Sequence, residues 1–145
     1  MINLLIRKIE SSDYHAVASL IRNELGYCDL DLDKFIRRMD LMKTDLLYTT
    51  FVAQKADQII GFIGLHKGIA YEIDGEYLRI IALAISQEYQ GQGFGTELLK
   101  YVENFAIQLG VSSIALNSGL KRSEAHAFYE KNGFIKRSFG FSKNI

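Results

Sequence analysis

Residues 87–99 read QEYQGQGFGTELL. Gly91, Gly93 and Gly95 alternate, and the chain then places Leu98, Leu99, Val102, Phe105, Ala106 and Leu109 at helical spacing. A helix start carries unpaired N–H groups and a partial positive charge. Phosphate is a natural ligand there, and glycines let the backbone come close and take unusual dihedrals. The stretch therefore predicts a phosphorylated ligand at the start of a 96–109 helix, set against the plainer reading of a tight strand-to-helix turn. Two familiar phosphate loops are excluded. The nucleotide P-loop needs a Gly-Lys pair, which this stretch lacks. The dinucleotide fingerprint would need glycine at Thr96 or at Leu98.

Working outward, Gly110 is placed to stop the helix in a left-handed conformation. Upstream, residues 76–86 contain YLRIIALAIS, a nearly continuous apolar run that predicts a strand buried on both faces. Residues 46–54 and 58–66 read as strands around a turn at 55–57, and Asp74-Gly75 signals a second turn. Residues 2–9 read as the first strand. Ser11, Ser12 and Asp13 are cap-type residues before a helix carrying Ala16, Val17, Leu20, Ile21 and Leu25 on one face. A second helix is predicted over 33–42, with Phe35, Ile36 and Met39 inward. Downstream, 112–117 reads as a strand, Ser123 as the cap of a helix ending at Asn132-Gly133, and 134–142 as a last strand. The order β-α-α-β-β-β-α-β-α-β predicts an α/β fold with a mixed, mostly antiparallel sheet flanked by helices.

The totals agree with one domain spanning residues 1–145. Lys plus Arg is 17 and Asp plus Glu is 17, so no global field draws the chain to nucleic acid or to an anionic membrane. Cys28 is the only cysteine, which excludes an internal disulfide and suits a reducing compartment. The N-terminus lacks the pattern of a secretory signal, and no apolar run approaches membrane-spanning length, so a cytoplasmic protein is expected.

One further pattern fits the glycines. Gln90, Gly93 and Gly95 match Q/R-x-x-G-x-G/A, and at this point the chain resembles the GNAT superfamily, the acetyl-CoA-dependent N-acetyltransferases. Residues 82–106 look like that family's central strand, loop and helix. A second signature, A-x-x-F-Y-x-x-x-G-F, is present as Ala125, Phe128, Tyr129, Gly133 and Phe134. The resemblance covers the chain from Ile81 onward and implies a single-domain acyltransferase fold using acetyl-CoA, with CoA as product. It places the diphosphate on Gln90, Gly91, Gln92, Gly93, Phe94, Gly95 and Thr96. It lays the pantetheine arm along Leu83, Ala84 and Ile85, with Asn117 at the position that contacts the pantetheine or the helix cap. It makes Tyr129 the general acid that protonates the departing thiolate, where the plainer reading is an aromatic packed beside Phe128. A phenol is protonated at neutral pH and can donate. No metal is implied.

The family's usual carboxylate positions correspond to Arg79 and Ala82, neither of which is acidic. Glu76 acting through water, His126, and a plain water chain remain open as proton acceptors. A covalent acetyl-Cys28 is the rival to direct attack in a ternary complex. The expected acceptor is a small-molecule or peptide amine. Tyr27, Tyr71 and Tyr77 with Asp29, Asp31, Glu72 and Asp74 suggest a weakly acidic, aromatic mouth for a cationic amine. Phe139 and Phe141 either seed a homodimer or belong to the core. The alternative function is a non-catalytic acyl-CoA-binding regulatory module, which needs the glycine loop but not Tyr129.

Overall fold

Two apolar runs, Tyr48–Lys55 and Gln58–Gly68, build the central hairpin of a five-stranded sheet. The computed structural model describes residues 3–145. Its elements are β1 (Leu5–Lys8), α1 (Tyr14–Glu24), α2 (Leu32–Lys43), β2 (Tyr48–Lys55), β3 (Gln58–Gly68), β4 (Tyr77–Ile85), α3 (Phe94–Leu109), β5 (Ser113–Leu116) and α4 (Ser123–Lys131). The sheet order is β1-β2-β3-β4-β5. The first three pairings are antiparallel. The crossover through α3 is the connection a parallel pair requires. Ser112 N–H donates to Glu76 C=O at 2.9 Å, which sets the start of β5 beside the start of β4. The residues up to Ala115 form one compact unit and Leu116–Ile145 form a second.

The two faces of the sheet follow from strand alternation. Val52, Phe62 and Ala84 lie opposite one another and join the core cluster of Tyr14, Val17 and Leu20 from α1 and Phe35 and Met39 from α2. On the other face, Phe51 meets Tyr101 and Phe105 of α3 edge to face, both with ring centroids 5.0 Å apart. Gly61 sits where the strands come closest. A Cβ there would lie 2.6 Å from Ile85 Cδ1 and 2.9 Å from Ala84 O, so glycine lets the end of β4 lie against β3.

The pairing of β3 with β4 shifts register between Gly64 and Leu65. Gly64 faces Ala82 but Leu65 faces Ile80, which leaves Ile81 as the extra residue of a bulge, 45% exposed. The bulge explains why β4 is not buried on both faces as its apolar run predicts. Leu78, Ile80 and Ala84 are buried, while Ala82, Leu83 and Ile85 are half-buried.

Asp13 fixes the entry to α1. It is buried, takes two hydrogen bonds from the Arg7 guanidinium at 2.8 and 3.0 Å, and accepts the Glu10 N–H at 2.8 Å. This joins β1 to the first helix through a single 3-10 turn at Ser11–Asp13.

Other expectations shift for physical reasons. The 2–9 strand begins at Ile2, outside the described residues, and is formed over Leu5–Lys8. The helix expected from Thr96 starts at Phe94, because left-handed Gly93 already caps it. Ser123 is the first residue of α4 rather than its cap; Arg122 holds the cap position with no side-chain bond. The strand expected at 134–142 is not formed: among the described residues none follows α4. Phe139 and Phe141 are 72% and 96% exposed and pair with no strand there; apolar alternation alone does not supply the partner strand that pairing needs.

The Asp13 carboxylate is held below its ordinary value, chiefly by the Arg7 hydrogen bond and also by the Glu10 N–H, against the opposing effect of burial. Its contribution to stability is therefore full above the unfolded-state value of about 3.9 and is lost as pH falls through the lower folded value. Asp13→Ala is expected to lower unfolding free energy by about 2 kcal/mol near neutral pH. The gap to wild type should close in acid, as read by chemical denaturation at both pH values.

Candidate active site

The glycine loop leaves β4 at Ile85 and enters α3 at Phe94. Gly91 and Gly93 have φ of 77° and 88°, the left-handed region that a side chain resists. Nothing lies within 4 Å of a Cβ built on Gly91, so the backbone angle and not crowding calls for glycine there. The first intrahelical bond of α3 runs from Glu97 N–H to Gly93 C=O at 3.0 Å. The N–H groups of Phe94, Gly95 and Thr96 precede it and have no intrahelical partner, and no side chain caps them. Gly91, Gln92 and Gly93 are exposed. The loop thus presents bare donors at a positive helix end, which suits a diphosphate.

The side chains of the loop mostly brace it. Gln90 donates its amide to Ile85 C=O at 2.8 Å, and its own N–H bonds Gln87 C=O at 3.3 Å. Gln92 donates to Glu88 C=O at 3.1 Å. Phe94 is buried, edge-on to Tyr89, with Lys55 Nζ 5.8 Å from its ring centre, so only its backbone faces outward. Glu24, the last residue of α1, accepts the Gln87 N–H at 3.0 Å and lies 3.5 Å from the Gln90 amide. The sequence carries no sign of this brace, since the two partners are 63 residues apart.

Leu83, Ala84 and Ile85 lead directly into the loop. β5 has four residues against nine in β4. Aligned at Ser112 and Glu76, β5 runs out beside the middle of β4, and Leu83–Ile85 continue past it. The first unit therefore brings together the backbone of residues 83–85 and the donors of 91–96.

Asn117 and Tyr129 belong to the second unit. Tyr129 is half-buried between Phe128 and Phe134, with ring centroids 5.4 and 5.8 Å away. Burial raises its phenol above the ordinary value while Arg122 pulls it down, so the hydroxyl is protonated at neutral pH. His126 bonds Gly119 C=O through Nε2 at 2.8 Å and holds the 119–126 turn. Ser118 Oγ, next to Asn117, is buried with no hydrogen-bond partner. Such an orphan fits a place that a ligand group completes.

A separate cavity of about 550 Å³ is lined by Arg7, Asp13, Asn23, Glu24, Gln54 and Gln58 among others. Within it Arg7 reaches Asp13 and Gln54, and Gln58 accepts from Tyr89 outside it. Glu76 pairs with Lys67 at 3.5 Å, and Cys28 is exposed. Asp31 caps α2 through the Lys34 N–H at 3.0 Å, and Tyr27 and Tyr71 project into solvent at 65% and 109% exposure. Of the expected mouth, Asp31 thus serves as a cap and Tyr27 and Tyr71 as exposed turn residues, while Tyr77 is half-buried with the Arg79 guanidinium over its ring. Among the described residues no helix is long and apolar enough to cross a membrane.

A family model described as the acetyltransferase (GNAT) family matches residues 10–134. The chain is 28% identical over 142 residues to the uncharacterized N-acetyltransferase YhdJ of Bacillus subtilis, covering 97% of this chain and 96% of that one. It is 29% identical over 134 residues to the aminoalkylphosphonate N-acetyltransferase of Salmonella typhimurium, covering 92% and 84%. A GNAT family acetyltransferase structure from Staphylococcus aureus superposes with a TM-score of 0.81 at 28% identity, covering 99% of this chain and all of that one. An aminoglycoside N-acetyltransferase solved in complex with CoA shares the fold, with a TM-score of 0.84 at 13% identity over 99% of this chain and 96% of that one.

If Glu24 braces the loop, Glu24→Ala should weaken acetyl-CoA binding by about tenfold in calorimetry. Glu24→Gln should retain most of the affinity, because its amide oxygen still accepts the Gln87 N–H.

Proposed function

Because this chain belongs to the acetyltransferase (GNAT) family, we propose that it moves an acetyl group from acetyl-CoA to a primary amine by direct attack in a ternary complex. The observation that carries this reading is the row of unpaired N–H groups at the start of α3, turned outward by left-handed Gly91 and Gly93. We read residues 1–145 as one N-acetyltransferase domain acting in the cytoplasm, on a small-molecule or peptide amine.

The residues divide the work. The N–H groups from Gly91 to Thr96 hold the diphosphate, with Gln90 and Gln92 keeping the loop in shape. The backbone of Leu83, Ala84 and Ile85 lines the pantetheine arm, and Asn117 with the buried Ser118 hydroxyl adds a polar contact. A lysine-like amine has a pKa of about 10.4 and must first lose a proton, which we assign to water. The neutral nitrogen then attacks the thioester carbonyl carbon. A C–N bond forms, the C–S bond breaks, and a backbone N–H near Leu83 or Ala84 faces the oxygen that gains charge. Tyr129 gives its proton to the departing sulfur and regains one from solvent, while the newly bonded, cationic nitrogen releases its extra proton to water, leaving the amide and CoA.

Tyr129→Phe removes that proton and nothing else of size. Turnover is expected to fall by about 100-fold with acetyl-CoA affinity retained. Steady-state kinetics beside calorimetry check both halves. An unchanged turnover would remove Tyr129 from the chemistry, and a wild-type protein that binds acetyl-CoA but acetylates no amine would point to a regulatory binding module.

A further inference from the structure

The bulge in β4 decides which side chains line the sheet face under α1 and α2. Without it, Ala82 would share that face with Ile80 and Leu78. With Ile81 as the extra residue, Ile80 turns toward the α3 face beside Leu65, and Arg79 turns toward the α1 and α2 face beside His66. His66 in turn lies opposite Tyr48 across β2, with ring centroids 4.6 Å apart. Tyr77 completes the group, with the Arg79 guanidinium carbon 5.9 Å from its ring centre. Tyr48, His66, Tyr77 and Arg79 are all half-buried. They continue the face that carries Ala82 and Ala84, whose core cluster is also packed by Leu25 and Leu30 of the α1–α2 connection and by Leu32 at the start of α2.

We propose that Arg79, with His66 beside it and Tyr48 and Tyr77 flanking, recognises an anionic group on the acceptor, so that the substrate is a small amine bearing a phosphonate or carboxylate. This rests on the acetyltransferase reading above and names its acceptor class. Arg79 pairs with His66 and Leu83 with Ile63, three β3 positions apart, so Arg79 stands about 10 Å along the sheet from the strand segment assigned to the thioester. A guanidinium presents a fork of five donors and can grip an oxyanion while keeping another partner. A cation there also repels an ammonium and favours the neutral, attacking form of the amine. A polycationic acceptor meets the same repulsion with nothing to offset it. The acidic side chains that would suit such an acceptor are a helix cap and exposed turn residues.

The test compares four acceptors of similar length by CoA release: 2-aminoethylphosphonate, β-alanine, ethanolamine and 1,3-diaminopropane. Wild type should favour the two anionic amines, and the ranking between them separates phosphonate from carboxylate. Arg79→Gln should lower the ratio of kcat/KM for the anionic amines over ethanolamine by about 30-fold. Arg79→Lys should recover part of that ratio. Calorimetry with acetyl-CoA on each variant reports folding and the cofactor site independently. A preference of wild type for the diamine, an equal loss for anionic and neutral amines in Arg79→Gln, or transfer to none of the four by a protein that binds acetyl-CoA overturns the proposal and leaves the cofactor reading standing. Absence of acetyl-CoA binding by wild type removes both.

Discussion

Two consecutive reversals of backbone hand, at Gly91 and Gly93, are the constraint from which the rest of the site follows. They turn the chain from the end of β4 into α3 within a few residues. They leave the first N–H groups of the helix facing outward, without a capping side chain, where an anion can use them. Any residue with a Cβ would resist those angles, and a cap residue at the helix start would consume the donors. The loop is also held from outside. Gln90 ties it to Ile85, Phe94 ties it to the core, and Glu24 ties it to the end of α1. A rigid, preorganised loop loses little freedom on binding, which is how backbone amides become an effective phosphate site.

The sheet supplies the second element. Its antiparallel half is regular except at one place, and that place matters for chemistry. The extra residue Ile81 lets β4 change which side chains it shows to each face. Beyond the bulge the strand carries Leu83–Ile85 past the short β5. Before it, Arg79 reaches a face it would otherwise miss, beside His66. The Gly61 contact keeps the last residues of β4 close to β3 while the opposite edge runs free. One strand thus serves the core, the proposed cofactor arm and the proposed acceptor.

The helices on the two faces have different tasks. α3 covers one side through Phe51, Tyr101 and Phe105 and offers its N-terminus to the ligand. α1 and α2 cover the other side and frame the proposed acceptor face. Asp13 orients α1 at its start through Arg7 and Glu10, and Glu24 connects its end to the glycine loop. The end of α1 is thus tied to the glycine loop by a hydrogen bond and not only through the apolar core.

Local pattern alone was enough for most elements. Helical spacing after the glycines, cap-type residues at 11–13, left-handed Gly110 and the two apolar runs around the turn at 55–57 each act within a turn or a strand, so the chain order is legible before folding. The glycine loop and the pair Phe128-Tyr129 were legible for the same reason. The last strand was misread because alternation at Phe139 and Phe141 says nothing about whether a surface exists to cover them. Only the tertiary structure decided the register of β4, and with it the direction of Arg79, because a bulge is set by the partner strand and not by the residue that bulges. It alone also brought Glu24 to Gln87 and His66 to Arg79, since contacts between distant segments depend on how the elements pack, which no local pattern encodes.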